Sequence, residues 1–267
     1  MSLINRIAMV ITVAGSFSAG RCDAKAEPES VASQPAAAYE WHTLVAAPGQ
    51  LDAVHVRLRD GVLPALGSHG LRCVGVFTPA GENPDGVVHL VVAGGREGND
   101  PARGNLLAND ATWQALLAGS DGKPALATQR SMQRLRMTAW SPLPAAGQQA
   151  TPRVFELRTY TCPDAAKREA LLRRFEGHTM KLFAKHGMTN VIYWTPDGGP
   201  DADTKLVYLL AHDSTTAAKE SFAAFRQDTD WIAAKTASET AAGGSLTTKE
   251  KGVVSEFLLP AAYSPLQ

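Results

Sequence analysis

The sequence predicts an α+β fold made of two tandem ferredoxin-like βαββαβ units. Three observations carry that expectation. Five short blocks recur in the same order in the two halves of the chain. The second half alternates strand-like and helix-like patterns in the order β-α-β-β-α-β. A sheet covered by helices on one side only keeps a bare face, which a second unit in the same chain can cover.

The recurrence sets the architecture. Ser68-His69-Gly70-Leu71 corresponds to Lys185-His186-Gly187-Met188. Eight residues past each histidine stand Phe77-Thr78-Pro79-Ala80-Gly81 and Trp194-Thr195-Pro196-Asp197-Gly198. Asn109-Asp110 followed by Trp113 matches Gln227-Asp228 followed by Trp231, and the openings Tyr39–Leu44 and Phe155–Tyr160 align. The halves close on Trp140-Ser141-Pro142-Leu143 and Tyr263-Ser264-Pro265-Leu266. A duplicated unit of about 110 residues explains this order. It divides the chain into a first repeat over 39–143, a Pro/Ala/Gly/Gln linker over 144–152 and a second repeat over 153–267.

In the second repeat, Val154 to Tyr160 alternates, with Phe155, Leu157 and Thr159 on one face and Glu156, Arg158 and Tyr160 on the other. Pro163 and Asp164 open a helix running to about Lys185, with a stripe of Leu171, Leu172, Phe175, Leu182 and Phe183 and a capping glycine at Gly187. Thr189 to Trp194 and Lys205 to Ala211 read as strands joined through a Pro-Asp-Gly-Gly-Pro turn, a second helix covers Thr216 to Ser238, and Val253 to Leu259 is the last strand. In this topology the first and third strands are central and both helices lie on one face. The bare faces of the two sheets should therefore pack together, as an intramolecular version of a dimeric α/β barrel.

The N-terminus reads as an export signal over residues 1–26. Arg6 supplies the positive start, Ile7 to Phe17 a short apolar run, and Ala24-Lys25-Ala26 a cleavage pattern. The run is too short to span a bilayer, and Arg21 stands where a lipoprotein needs a small residue before Cys22. Residues 27–38, rich in Pro, Ser and Ala, read as a disordered linker. The mature chain is expected to be periplasmic or secreted, and to be a monomer with an internal pseudo-dimer. It keeps Cys73 and Cys162, either as free thiols or as a disulfide. With 26 basic and 26 acidic residues the chain is formally neutral, which argues against nucleic acid as a partner.

The second-repeat motifs Glu156-Leu157-Arg158-Thr159-Tyr160 and Phe183-Ala184-Lys185-His186-Gly187-Met188 resemble those of the NIPSNAP family, as do Phe225 with Asp228 and Trp231, and Tyr263-Ser264-Pro265. The first repeat has drifted from that pattern, with His42 in place of the strand arginine and Leu44 in place of the tyrosine. The resemblance implies a dimeric α/β barrel. It does not imply a reaction, because the family has no settled activity and related barrels include monooxygenases, isomerases and haem enzymes.

Glu156 and Arg158 share one strand face, and the expected packing points that face into the barrel interior. They form either a structural pair or, with Tyr160 as a hydroxyl donor, the polar wall of a ligand pocket. Glu40 and His42 are the equivalents in the first repeat, and the four are expected to converge. His178 lies at the edge of a helix stripe, as a core histidine or a site residue. His69 and His186 precede capping glycines, where a cation suits a helix C-terminus. Trp113 and Trp231 are expected to anchor helix to sheet, and each closing tripeptide to seat on its own unit. No Ser-His-Asp spacing, HExxH, paired CxxC or phosphate loop is present in the sequence. No metal or cofactor is expected, and a haem would have only His178 to ligate it. The resulting expectation is a non-catalytic protein that binds a small ligand or a protein partner. The alternative is a small-molecule enzyme of the monooxygenase or isomerase type with a polar pocket inside the barrel.

Overall fold

The computed structural model describes residues 38–94, 107–120, 122–144 and 153–267. The export signal and most of both linkers lie outside these residues. The first unit runs β1 (Ala38–Ala46), α1 (Leu51–Arg57), α2 (Leu63–Leu66), β2 (Leu71–Pro79), β3 (Val87–Gly94), α3 (Ala111–Ala118) and β4 (Ala127–Met137). The second runs β5 (Val154–Thr161), α4 (Ala165–Arg174), α5 (Met180–Lys185), β6 (Thr189–Pro196), β7 (Lys205–His212), α6 (Thr215–Gln227), α7 (Thr229–Ala241) and β8 (Val253–Pro260). A π turn joins α1 to α2 at Leu58–Val62, and another joins α4 to α5 at the equivalent Phe175–Thr179. The eight strands close in the order β1-β3-β2-β8-β5-β7-β6-β4. The first and third strands of each unit are central, and the units meet along β2–β8 and β4–β6.

The expected second helix is two helices. Asp228 adopts an extended backbone and caps α7, accepting from the amides of Asp230 and Trp231. An aspartate that caps the following turn competes with helix continuation at that point. His186, at the end of α5, bonds the other oxygen of Asp228 at 2.7 Å. His69 does the same to Asp110, the cap of α3, at 3.1 Å. The repeated histidine thus joins the end of one helix to the start of another.

Hydrogen bonds from Lys185 and His186 hold the Asp228 carboxyl well below the usual carboxylate range. Its contribution to stability is complete above the unfolded carboxyl pKa, about 3.9, and is lost as pH falls toward the folded value. Asp228→Asn keeps the cap but not the charge. The variant is expected to be less stable than the parent at neutral pH, and to converge on it as pH falls below about 4. Chemical denaturation at stepped pH reads this directly.

Strand alternation decides what fills the barrel. Tyr39 and Trp41 from β1, Phe77 from β2, Phe155 from β5 and Trp194 from β6 share one buried cluster. Tyr39 meets Trp194 edge-on at 5.6 Å, and Phe77 meets Phe155 at 5.1 Å, so rings of both units interlock. An eight-stranded barrel has just the room its inward side chains fill. The face carrying Glu156, Arg158 and Tyr160 therefore points outward beneath the helices, contrary to the expectation that it faced the interior. The physical reason is that Phe155 and Leu157 belong to the face with no helix to cover it, and a closed lumen is the drier of the two environments.

The closing segments also differ from expectation, because each seats on the other unit. Ser264, at the end of the second unit, accepts a hydrogen bond from the Val76 amide on β2 at 3.0 Å. Ser141, at the end of the first, accepts one from the equivalent Tyr193 amide on β6 at 2.9 Å. Tyr263 bonds His55 on α1 at 2.8 Å, while Trp140 packs on Tyr193. Both serines satisfy strand amides where the seam strands leave them without a ladder partner.

Candidate functional site

Beneath α6, on the outer side of β5, lies a buried polar cluster. Arg158 donates through Nη1 to Glu156 at 2.5 Å and through Nε to the Tyr208 hydroxyl at 2.9 Å. Its guanidinium lies over the Phe222 ring at 4.3 Å, a favourable place for a desolvated cation. Glu156 also bonds His212 at 3.2 Å. Burial alone would raise the Glu156 carboxyl, but bonds from His212 and Ser255 and the charge of Arg158 hold it below its ordinary range. The Tyr208 hydroxyl is pushed well up by burial. Every charge in this cluster has a partner, and the rings of Tyr160, Phe175, Tyr193 and Tyr208 pack around it. Residues 208 and 212 share the outward face of β7, so strand parity alone would have placed Tyr208 and His212 beside the pair.

In the first unit Glu40 bonds His42 at 3.0 Å, and His42 meets Trp113 edge-on at 4.9 Å. Both side chains are buried under that unit's own helix layer. Because β1 and β5 stand on opposite sides of the closed barrel and both sets point outward, Glu40 and His42 do not converge with Glu156 and Arg158. Inside the lumen the sequence offered no warning of His89. Trp41 Nε1 donates to its Nδ1 at 3.1 Å, so a neutral His89 carries its proton on Nε2, which faces Glu256 at 3.5 Å.

His178 is exposed rather than near the core. It sits on the π turn at the rim of an open groove of about 980 Å³ between α4 and α7. Metal-ligating imidazoles are oriented by a hydrogen bond to the other ring nitrogen, and no described residue supplies such a bond to His178. Among the described residues no cluster of three or more His, Cys, Asp or Glu side chains is placed to hold a metal ion.

The groove's floor holds Arg174, which is 5% exposed. It reaches the Ser238 hydroxyl at 3.3 Å and the Glu239 carboxylate only at 3.8 Å, and its Nε has no partner among the described residues. Trp231 lies 5.0 Å from the guanidinium and 4.4 Å from Phe225. It therefore fastens α7 to α6 and α4 rather than to the sheet. Burial pushes the Arg174 guanidinium down from its ordinary pKa, with Tyr160 and Glu239 opposing. Arg174 is not among the candidates singled out from the sequence, although a basic residue inside the helical stripe of Leu171, Phe175 and Leu182 was a signal that could have found it.

The NIPSNAP family profile matches residues 155–265. This second unit is a NIPSNAP domain. A NIPSNAP family protein of unknown function from Agrobacterium tumefaciens is 21% identical, over 45% of this chain and 98% of that one, with a TM-score of 0.35. Both units together are similar to a protein assigned as a monooxygenase from Fusobacterium nucleatum. That match is 8% identical, covers 85% of this chain and 93% of that one, and has a TM-score of 0.52. A chlorite dismutase variant from Candidatus Nitrospira defluvii is 7% identical over 86% of this chain and 93% of that one, at a TM-score of 0.49. At 8% identity the likeness to the Fusobacterium protein shows the fold alone, a dimeric α/β barrel formed within one chain. No curated protein matches the chain. No helix among the described residues is long and apolar enough to cross a membrane.

Proposed function

We propose that the mature chain is an exported, non-catalytic binding protein whose small-molecule site is the groove between α4 and α7, outside the barrel. The observation that carries this reading is the contrast between two buried arginines. Arg158 is held by a carboxylate at 2.5 Å, a hydroxyl at 2.9 Å and a ring at 4.3 Å, whereas Arg174 lines open space and meets a carboxylate, a hydroxyl and a ring only at 3.8, 3.3 and 5.0 Å. The groove's volume suits a small ligand, while aromatic side chains fill the lumen that the enzymatic alternative required. Export rests on Arg6, the apolar run to Phe17 and the Ala24-Lys25-Ala26 pattern.

Native mass spectrometry of the protein purified from its own host tests both parts. The expected polypeptide begins at Glu27 and carries a bound small molecule. Ala237→Trp, which places an indole in the groove from an exposed position, is expected to lose that molecule. An unprocessed N-terminus would overturn export. A ligand retained unchanged in Ala237→Trp would overturn the groove as its site.

A further inference from the structure

We propose that the groove takes an amphipathic anion, with a single carboxylate head held by Arg174 and an unbranched alkyl tail laid along α7. This rests on the reading of the groove as the binding site and adds the chemical class of its ligand. A guanidinium out of water is costly unless its donors are matched by an anion. Arg174 has a hydroxyl at 3.3 Å and a carboxylate at 3.8 Å, and its Nε is without a partner among the described residues. The two oxygens of a carboxylate suit the paired terminal Nη donors of a guanidinium, while the Nε of Arg174 is buried away from the groove.

The surrounding charges select that head over a doubly charged phosphate. Lys167, Arg173 and Lys181 line the groove beside Arg174, but so do Asp164 and Asp230, and Glu239 already stands near the guanidinium. A monoanion balances this set, whereas a dianion meets three carboxylates. The walls select the tail. Ala166 and Ala170 on α4 face Ala233, Ala234, Ala237 and Ala241 on α7. With Leu182 these methyl groups make an aliphatic wall suited to an alkyl chain. From Ala233 to Ala241 the helix rises about 12 Å, a run of wall suited to a medium-length alkyl chain. The helix contributes no fully buried residue of its own, so its apolar side is open to a ligand.

Titration calorimetry of the full mature chain with decanoate, decanol and inorganic phosphate decides the matter. Decanoate is expected to bind saturably, decanol at least ten-fold more weakly, and phosphate without measurable heat. Arg174→Lys is expected to weaken decanoate at least ten-fold. Ala237→Trp is expected to abolish its binding with an unchanged melting temperature, which keeps the test independent of whether the arginine variant folds. Decanol binding as tightly as decanoate, with both lost in Ala237→Trp, would overturn the carboxylate class and leave the groove standing. Decanoate binding that ignores Ala237→Trp would overturn the groove as well. No decanoate binding at all would overturn the proposed ligand class, and the ligand-retention measurement on host protein would then judge the groove separately.

Discussion

Arg158→Ala is expected to destabilise the fold by about 3–5 kcal/mol, the range for leaving a buried charge without its partner. The Glu156 side chain is 2% exposed, and losing Arg158 leaves its carboxylate with His212 and Ser255 as bonding partners. The Tyr208 hydroxyl loses its donor and Phe222 the cation beneath α6. Urea denaturation of the parent and variant measures the difference. Folded Arg158→Ala protein is expected to bind decanoate as the parent does, because the cluster does not line the groove. Replacing both partners by Glu156→Gln and Arg158→Met is expected to recover much of the loss, as matched neutral replacements of buried ion pairs do. A variant that keeps parental stability but loses ligand would instead make Arg158 a binding residue.

Ending the chain at Ala262 is expected to be at least as damaging, although only five residues are removed. Leu266 is buried in the lumen cluster, and removing a core leucine costs about 2–5 kcal/mol. Without Ser264 the buried Val76 amide has no acceptor, a further cost of about 1–3 kcal/mol. Together these approach the total stability of a typical domain, roughly 5–15 kcal/mol. Calorimetry is expected to show a melting temperature lowered by more than 10 °C, by scaling for a domain of this size, or an insoluble product. A shift of less than about 1 °C would mean that the seam strands alone hold the units together.

The sequence made the repeat, the strand order and the sheet-to-sheet pairing legible. Those depend on short-range periodicity and on blocks such as His69-Gly70 and His186-Gly187, which repeat because the same helix end must be capped twice. It also divided β5 correctly into two faces but assigned them to the wrong sides. Alternation reports which residues share a face, not which face gains the drier cover. Two charges per strand suggested a cavity, while the rings that fill the lumen are spread over β1, β2, β5 and β6 and meet only after closure. The exchange of Ser141 and Ser264 between units was hidden for a related reason. A tripeptide that repeats in sequence gives no clue to whether it folds back on its own copy or crosses to the other. Arg174 was legible in principle as a cation in an apolar stripe, but its poor match depends on where α7 turns after Asp228.

The tethering of two units into one barrel has a consequence for how the site could evolve. A barrel assembled from two identical chains must carry every side chain twice, so any change beneath one helix layer is imposed on both. Here the halves are free to differ, and they do. His42 faces Trp113 where Arg158 faces Phe222, and the short α3 stands where α7 forms a groove wall. The linker also makes pairing intramolecular, so the partner sheet is present at the same effective concentration however dilute the protein becomes. Pairing in one half thus no longer depends on expression level, and the other half can specialise without a matching change in its twin.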